Sequence, residues 1–415
     1  MLGRRPSWAG DLTADGWLLF VTSGVRTFAY GFLSVILGLY LADLGLSATV
    51  IGVIFSAALA GGAASTLLLS AVADRLGRRR VLMLAALLMA LAGAVFARAT
   101  NPVLLIVAAI IGTISPSGKE VGPFLSIEQA VLPQATTNSQ RTGVFAAYNM
   151  VASLAGALGA LITGAPTFLG MAPVPGDRAL LWTYAALALL LLVLYSRLSP
   201  AVEVTHTGGG ESRSKLGLQR SRGVVARLAI LFALDAFAGG FVVQGLVAYW
   251  FHARYGADLE LLGALFFGAN LCAALSFLAA APLARRISLL NTMVFTHLPS
   301  NVLLLLVPLM PSLSLAIAML LTRNLLSQLD VPTRQSYTMA VVDPAERAAA
   351  AGLTSVARTA AAALAPAFSG ATLAVPALGL PFLLAGGLKI VYDLALLAVF
   401  RRVRPPEERF VPRGP

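Results

Sequence analysis

The chain has 415 residues, 58% of them apolar and only 12% charged, against about 25% charged in an ordinary soluble domain. That leaves too little polar surface to solvate a globule of this size, which excludes a soluble multidomain enzyme and a disordered chain, and Cys272 as the sole cysteine excludes a disulfide-stapled secreted protein. Thirty Lys and Arg against eighteen Asp and Glu give +12, a balance that suggests nucleic acid in a soluble protein but only loop charge bias in a many-span membrane protein.

Apolar runs of about twenty residues, the length that crosses a bilayer, predict an all-α membrane protein of twelve transmembrane helices. In chain order they are 17–40, 47–71, 81–100, 103–131, 142–165, 179–198, 227–251, 259–283, 289–309, 312–332, 348–371 and 379–400. The first run is too long for a signal-peptide core and carries Arg26, so it is expected to be retained as a helix. In the fourth run, Gly112 to Glu120 superficially matches a phosphate-binding loop. The spacing between its glycines is wrong, however, and Glu120 stands where Ser or Thr would hold magnesium. Pro116 and Gly118 are expected to break the helix there and to free backbone groups that must then face a cavity. Connections are short except 199–226, where Gly208-Gly209-Gly210 precedes Arg213, Lys215, Arg220 and Arg222. This segment reads as a cytoplasmic basic linker between an N-terminal six-helix bundle, 1–198, and a C-terminal one with its tail, 227–415.

Placing the basic residues decides what the net charge means. With a cytoplasmic N-terminus, twenty-one Lys and Arg fall in inner segments, and only Arg98, Arg178 and Arg254 fall outside. The split orients both termini to the cytoplasm and leaves no need for a nucleic-acid partner.

The two halves also resemble each other at an offset near 210. Phe28-Ala29-Tyr30-Gly31-Phe32 matches Phe237-Ala238-Gly239-Gly240-Phe241, Tyr40 matches Tyr249, Gly52 matches Gly263, Glu120 matches Asp330, and Gly164 matches Gly370. Parallel repeats of this kind are a transporter architecture, with the site expected at the repeat interface near mid-bilayer.

After the second helix comes Ser70-Ala71-Val72-Ala73-Asp74-Arg75-Leu76-Gly77-Arg78-Arg79-Arg80. This stretch resembles the loop signature of the major facilitator superfamily, in the connection where that family places it. Twelve spans, two halves and a long central loop extend the resemblance over the whole chain, with a general similarity to bacterial drug and metabolite exporters. Ser70 departs from the family's glycine, and the second-half copy, Leu283 to Ile287, has lost the acid and the glycine. The resemblance implies a cytoplasmic latch made by Asp74, Arg75, Gly77, Arg78 and Arg79. The residues alone also allow a basic inner loop with a turn glycine. Helix 5 carries Ser153, Gly156, Gly159 and Gly164, small residues that let a neighbouring helix approach.

Charges within spans are costly and should face partners or water. Arg26 in helix 1 and Asp235 in helix 7 occupy matching repeat positions with opposite sign, roughly 14 Å into their spans at about 1.5 Å per residue. With Arg323 and Arg358 they form a midplane layer, read as substrate or proton pathway because unpaired charge at that depth is hard to justify structurally. Lys119, Glu120, Glu128, Asp330 and Arg334 form a second layer toward the cytoplasm, open to gate duty or substrate contact. Glu120 and Asp330 join Asp235 as candidate proton carriers, and Lys389 and Asp393, at i,i+4, read as a structural pair. His206, His252 and His297 have no ligand spacing, so no metal or cofactor is expected. No nucleophile or metal constellation suggests an enzyme.

Together with the resemblance, these readings imply a secondary transporter of a small organic solute in the cell's inner (plasma) membrane. The expected form is a monomer in the lipid bilayer that exports its solute in exchange for protons. The excess of midplane Arg leaves uptake or facilitated diffusion of an organic anion as the alternative.

Overall fold

The computed structural model of the chain describes residues 12–120, 122–132, 141–203, 220–343, 346–373, 375 and 379–403, which are helical with no strand among them. The first eight helices are α1 Ala14–Asp43, α2 Ala48–Leu76, α3 Arg78–Arg98, α4 Pro102–Ile111, α5 Phe124–Val131, α6 Arg141–Leu161, α7 Ala165–Phe168 and α8 Pro173–Tyr195. The second eight are α9 Arg222–Gly240, α10 Gln244–Tyr255, α11 Leu259–Ile287, α12 Leu289–Leu306, α13 Leu313–Ser327, α14 Asp330–Val341, α15 Arg347–Thr372 and α16 Leu380–Phe400. Hydroxyl and amide side chains start several of them. Thr13 Oγ1 accepts from the Gly16 N–H, Ser47 Oγ from Val50, and Asn101 Oδ1 from Val103 and Leu104, which satisfies first-turn donors that have no partner within the helix.

Among the described residues, nine helices are long and apolar enough to cross a membrane. The expected fourth span is two helices, α4 and α5, separated by the irregular segment 112–123, with Gly118 and Gly122 at φ +68° and +80°. The expected tenth span does not end at 332. It breaks at 328–329 and continues as the polar α14 to Val341, so its apolar run stops before its helix does. The expected seventh span is interrupted at 241–243, between α9 and α10.

Two compact units result: Met1–Thr207 with Gln244–Phe267, and Gly208–Val243 with Gly268–Pro415. In the first unit α1 packs on α6, α8 and α10, and α3 packs on α8. The α1–α6 contact depends on missing side chains. A Cβ on Gly31 would lie 2.1 Å from the Gly156 carbonyl oxygen, and one on Gly159 would lie 2.0 Å from that of Phe28. Helix 5 thus uses its small residues for close packing, as its sequence suggests. The second unit repeats the scheme, with α9 on α15 and α12 on α16, around Leu228, Phe232, Met293, Tyr337, Tyr392 and Phe400. The outer surfaces carry apolar side chains such as Leu68, Val103 and Ile230, which are 68%, 67% and 70% exposed. In water a band of such residues would be an association patch, and in a bilayer it is the lipid face.

Candidate functional site

Each unit encloses one set of buried charges, and each set is built on one of the two repeat-related residues, Arg26 and Asp235. In the first unit Arg26, fully buried on α1, forms two ion pairs at once. Its Nε donates to Glu120 Oε2 at 2.9 Å and its Nη2 to Glu120 Oε1 at 2.8 Å, a bidentate pair. Nη1 and Nη2 also donate to Glu128 Oε1 at 2.9 Å and Oε2 at 2.7 Å. Phe124 lies under the guanidinium, 4.7 Å from ring centroid to Cζ, and is itself stacked on Tyr195. The two carboxylates are not equivalent. Glu128 on α5 is wholly buried and accepts further hydrogen bonds from Tyr195 Oη at 2.6 Å, Thr22 Oγ1 at 3.1 Å and Tyr148 Oη. Glu120 sits on the irregular segment before α5, with its side chain 14% exposed.

The second unit reverses the signs. Asp235 on α9 is the acceptor, with Lys389 Nζ 2.5 Å from Oδ1 and Nη1 of both Arg334 and Arg358 3.2 Å from Oδ2. Arg334 also donates to Asp330 Oδ2 at 3.0 Å, the i,i+4 pair on α14, and lies over the Phe232 ring. His297 links this set to a further acid: its Nε2 is 3.9 Å from Asp235 Oδ1 and its Nδ1 is 2.9 Å from Asp393 Oδ1. Asn301 Nδ2 donates to Asp393 Oδ2 at 2.8 Å.

This geometry corrects the two-layer reading. Arg26 and Asp235 are not unpaired midplane charges. Each gathers residues assigned to the inner layer, Glu120 and Glu128 in one unit and Arg334 in the other. A side chain of Arg or Lys length reaches across several ångströms of helix axis, so separation along the sequence does not keep the layers apart. Lys389 and Asp393 do not form the expected pair either; Lys389 reaches Asp235, and Asp393 is taken by His297 and Asn301. Arg323, half-buried on the face of α13 that carries the buried Ala316, Leu320 and Ser327, has its Nε sealed from solvent without a hydrogen-bond partner. Lys119 is exposed on the irregular segment, where its carbonyl accepts from Ser115 Oγ at 2.6 Å. One backbone group freed by the helix-4 break faces protein and no cavity: the Pro116 carbonyl accepts from the Gly245 N–H at 3.0 Å.

The loop after α2 is anchored by a residue the motif does not contain. Gly77 ends α2 and starts α3 at φ +96°. The backbone N–H groups of Arg78 and Arg79 then donate to the Glu203 carboxylate at 2.6 and 3.3 Å, a carboxylate at a helix N-terminus where the dipole favours it. The Arg78 and Arg79 guanidiniums donate to the Val202 and Leu198 carbonyls. Arg75 is exposed, and the Asp74 side chain lies outside the described residues. In the second unit Glu346 does comparable work, accepting from the Arg220 and Ser221 N–H groups at 2.8 Å each.

Tyr148, Tyr195, His297, Asn301, Glu203 and Glu346 were not legible as site residues. Tyr and Asn carry no formal charge and sit in ordinary helical context. His297 had a usable signal, since it is an ionisable side chain in the middle of an apolar run.

A sequence profile of the Major Facilitator Superfamily matches residues 19–328. An uncharacterized membrane protein of Saccharomyces cerevisiae, YJR124C, is 28% identical over 417 residues, covering 92% of this chain and 93% of its own. Among solved structures, the nucleoside transporter NupG is similar with a TM-score of 0.74 at 16% identity, covering 94% of this chain and 100% of its own. A D-xylose–proton symporter follows at 0.68 and 15%, covering 92% and 97%. The human organic anion transporter MFSD10 follows at 0.62 and 18%, covering 94% and 100%. The match spans most of the chain and agrees with its all-helical, internally repeated fold: the chain belongs to the major facilitator superfamily, a multi-pass membrane protein of the family that transports small solutes.

Proposed function

We propose that the chain is a proton-coupled secondary transporter that works by alternating access and exports a small organic solute in exchange for protons. The observation that carries this reading is one guanidinium, Arg26, facing two carboxylates of unequal accessibility. Arg26 with two ionised acids leaves one surplus negative charge in a buried set, an arrangement that burial penalises. A single proton removes the surplus, and Glu120, the more accessible of the two acids with its side chain 14% exposed, is where it arrives. Glu128, held by Tyr148, Tyr195 and Thr22, then keeps Arg26 paired. Asp235 has both oxygens occupied by cationic donors and serves as the fixed hub of the second set, with Asp330, Arg334 and Arg358 around it. A proton symporter with the same fold supports coupling to protons in this architecture.

The outward direction rests on the general resemblance of the chain to bacterial drug and metabolite exporters of the family, among which proton antiport is the commonest mode. In this reading Asp74, Arg75, Gly77, Arg78 and Arg79 latch the cytoplasmic side, with Lys119, Glu128 and Arg334 in the gate. The bias of Lys and Arg to one set of loops supports an orientation in the plasma membrane with both termini cytoplasmic, and a monomer is the norm of the family. Uptake or facilitated diffusion of an organic anion is the second reading, favoured by Arg323.

The test uses purified full-length protein in liposomes loaded with pyranine, challenged with lipophilic cations such as ethidium and with organic anions such as benzoate. Solute entry should move protons outward. Solute exchange without proton movement overturns the coupling. Solute and protons moving together overturn export by antiport in favour of the second reading.

A further inference from the structure

Of the six basic residues read within the spans, Lys119 lies on the irregular segment and five lie on helices, and four of these, Arg26, Arg334, Arg358 and Lys389, have a carboxylate oxygen within 3.2 Å. Arg323 is the fifth. Among the described residues its guanidinium has no hydrogen bond or ion pair, and its Nε is closed off from solvent. Only its backbone carbonyl is engaged, accepting from Ser300 Oγ on α12 at 3.3 Å. Asp235 and Asp330, whose charge reaches it, are already committed to Lys389, Arg334 and Arg358. Arg323 is half-buried, on the face of α13 that carries the buried Ala316, Leu320 and Ser327, so it does not extend along a lipid-facing surface of the helix as a snorkelling Arg does. It is the eleventh residue of that helix, roughly 15 Å from its start at about 1.5 Å per residue, beyond the reach of lipid headgroups.

A guanidinium held in a span without a counterion is costly, and one that stays there is available to a ligand. We infer that Arg323 is the receptor for an anionic group on the transported solute, and that the solute is a carboxylate-bearing organic molecule. The planar fork of Arg matches a carboxylate with two parallel hydrogen bonds. Arg358, bound to the Asp235 carboxylate whose charge also reaches Arg323, supplies the second contact. One of its nitrogens is bound to Asp235, and its side chain is 30% exposed, the most of any partner of Asp235. A carboxylate arriving at Arg323 therefore competes with Asp235 for Arg358 and connects solute binding to the ion set that holds α9, α14, α15 and α16. This assignment rests on the transporter reading above and adds the chemical class of its solute.

The test measures thermal unfolding of the detergent-purified full chain with benzoate, succinate and para-aminohippurate, with uridine and D-xylose as uncharged probes and chloride and phosphate as inorganic ones. At least one carboxylate should raise the Tm of the wild type, and Arg323→Gln should weaken that response by about tenfold or more in concentration, the loss expected for a charged hydrogen bond. Arg323→Lys should retain part of it. Without ligand, Arg323→Gln should unfold at the wild-type temperature or above, because it removes a charge with no partner. The assignment is overturned if no carboxylate shifts the wild type, if Arg323→Gln responds like the wild type, or if the ligand-free Arg323→Gln or Arg323→Lys loses stability. It is also overturned if chloride or phosphate alone gives the same shift. Stabilisation by uridine or D-xylose, with their exchange in liposomes intact, overturns the anion assignment and leaves the transporter reading standing. Absence of exchange for any stabilising probe overturns the transporter reading itself.

Discussion

At the scale of single residues, the division of labour between Glu120 and Glu128 follows from their surroundings. Glu128 is fully buried and shares Arg26 with two tyrosines and a threonine, so removing its charge breaks a buried network at several points. Glu128→Gln is expected to destabilise the protein by about 1–3 kcal/mol, the range for leaving buried hydrogen-bonding groups unsatisfied, seen as a fall in Tm. Glu120→Gln leaves Arg26 and Glu128 as a neutral pair and should lower Tm far less. Equal losses in the two variants would contradict the assignment of roles. The charges themselves were legible because each stands out against an apolar run. Their partnerships were not, since Arg26 meets Glu120 across 94 residues and Lys389 meets Asp235 across 154, and no sequence spacing encodes such contacts.

At the scale of helices, the connections show how one turn is built twice with different residues. Gly77 takes φ +96° between α2 and α3, and Ser288, at the repeat-related place between α11 and α12, takes φ +80°. The glycine missing from the second-half loop is thus not matched by a relaxed backbone. Ser288 holds the same left-handed turn at a cost of about 1–3 kcal/mol, partly offset by its cap to the Asn291 N–H. Ser288→Gly should therefore raise stability by about 0.5–1 kcal/mol, since Gly loses only a few tenths as a cap. Gly77→Ala should lower stability by about 1–3 kcal/mol, because it strains the turn and sets a methyl 3.1 Å from Glu203 Oε1. Thermal unfolding of the two variants side by side checks both signs. The break in helix 4 was legible from Pro116 and Gly118. The length of the tenth helix was not, because α14 is polar and a run of apolar residues cannot report it. Nor was the Glu203 anchor, one acid at the end of a connection with nothing nearby to mark it.

At the scale of the whole molecule, the internal repeat organises packing and charge together. The α1–α6 and α3–α8 pairs recur as α9–α15 and α12–α16, and Arg26 and Asp235, at matching places, anchor ion sets of opposite sign. Twelve spans and two similar halves could be read from apolar periodicity and an offset near 210, because both are properties averaged over many residues. The sharing of residues 244–267 with the first unit depends on contacts of α10 with α1, which that averaging does not report. The most direct measurement of the central claim compares wild type with Glu120→Gln in liposomes, for any solute the wild type exchanges. Glu120→Gln should keep solute exchange at equal pH within about twofold of wild type and lose accumulation driven by a pH gradient, because a neutral amide cannot carry the proton. Gradient-driven accumulation at the wild-type level in Glu120→Gln would contradict it.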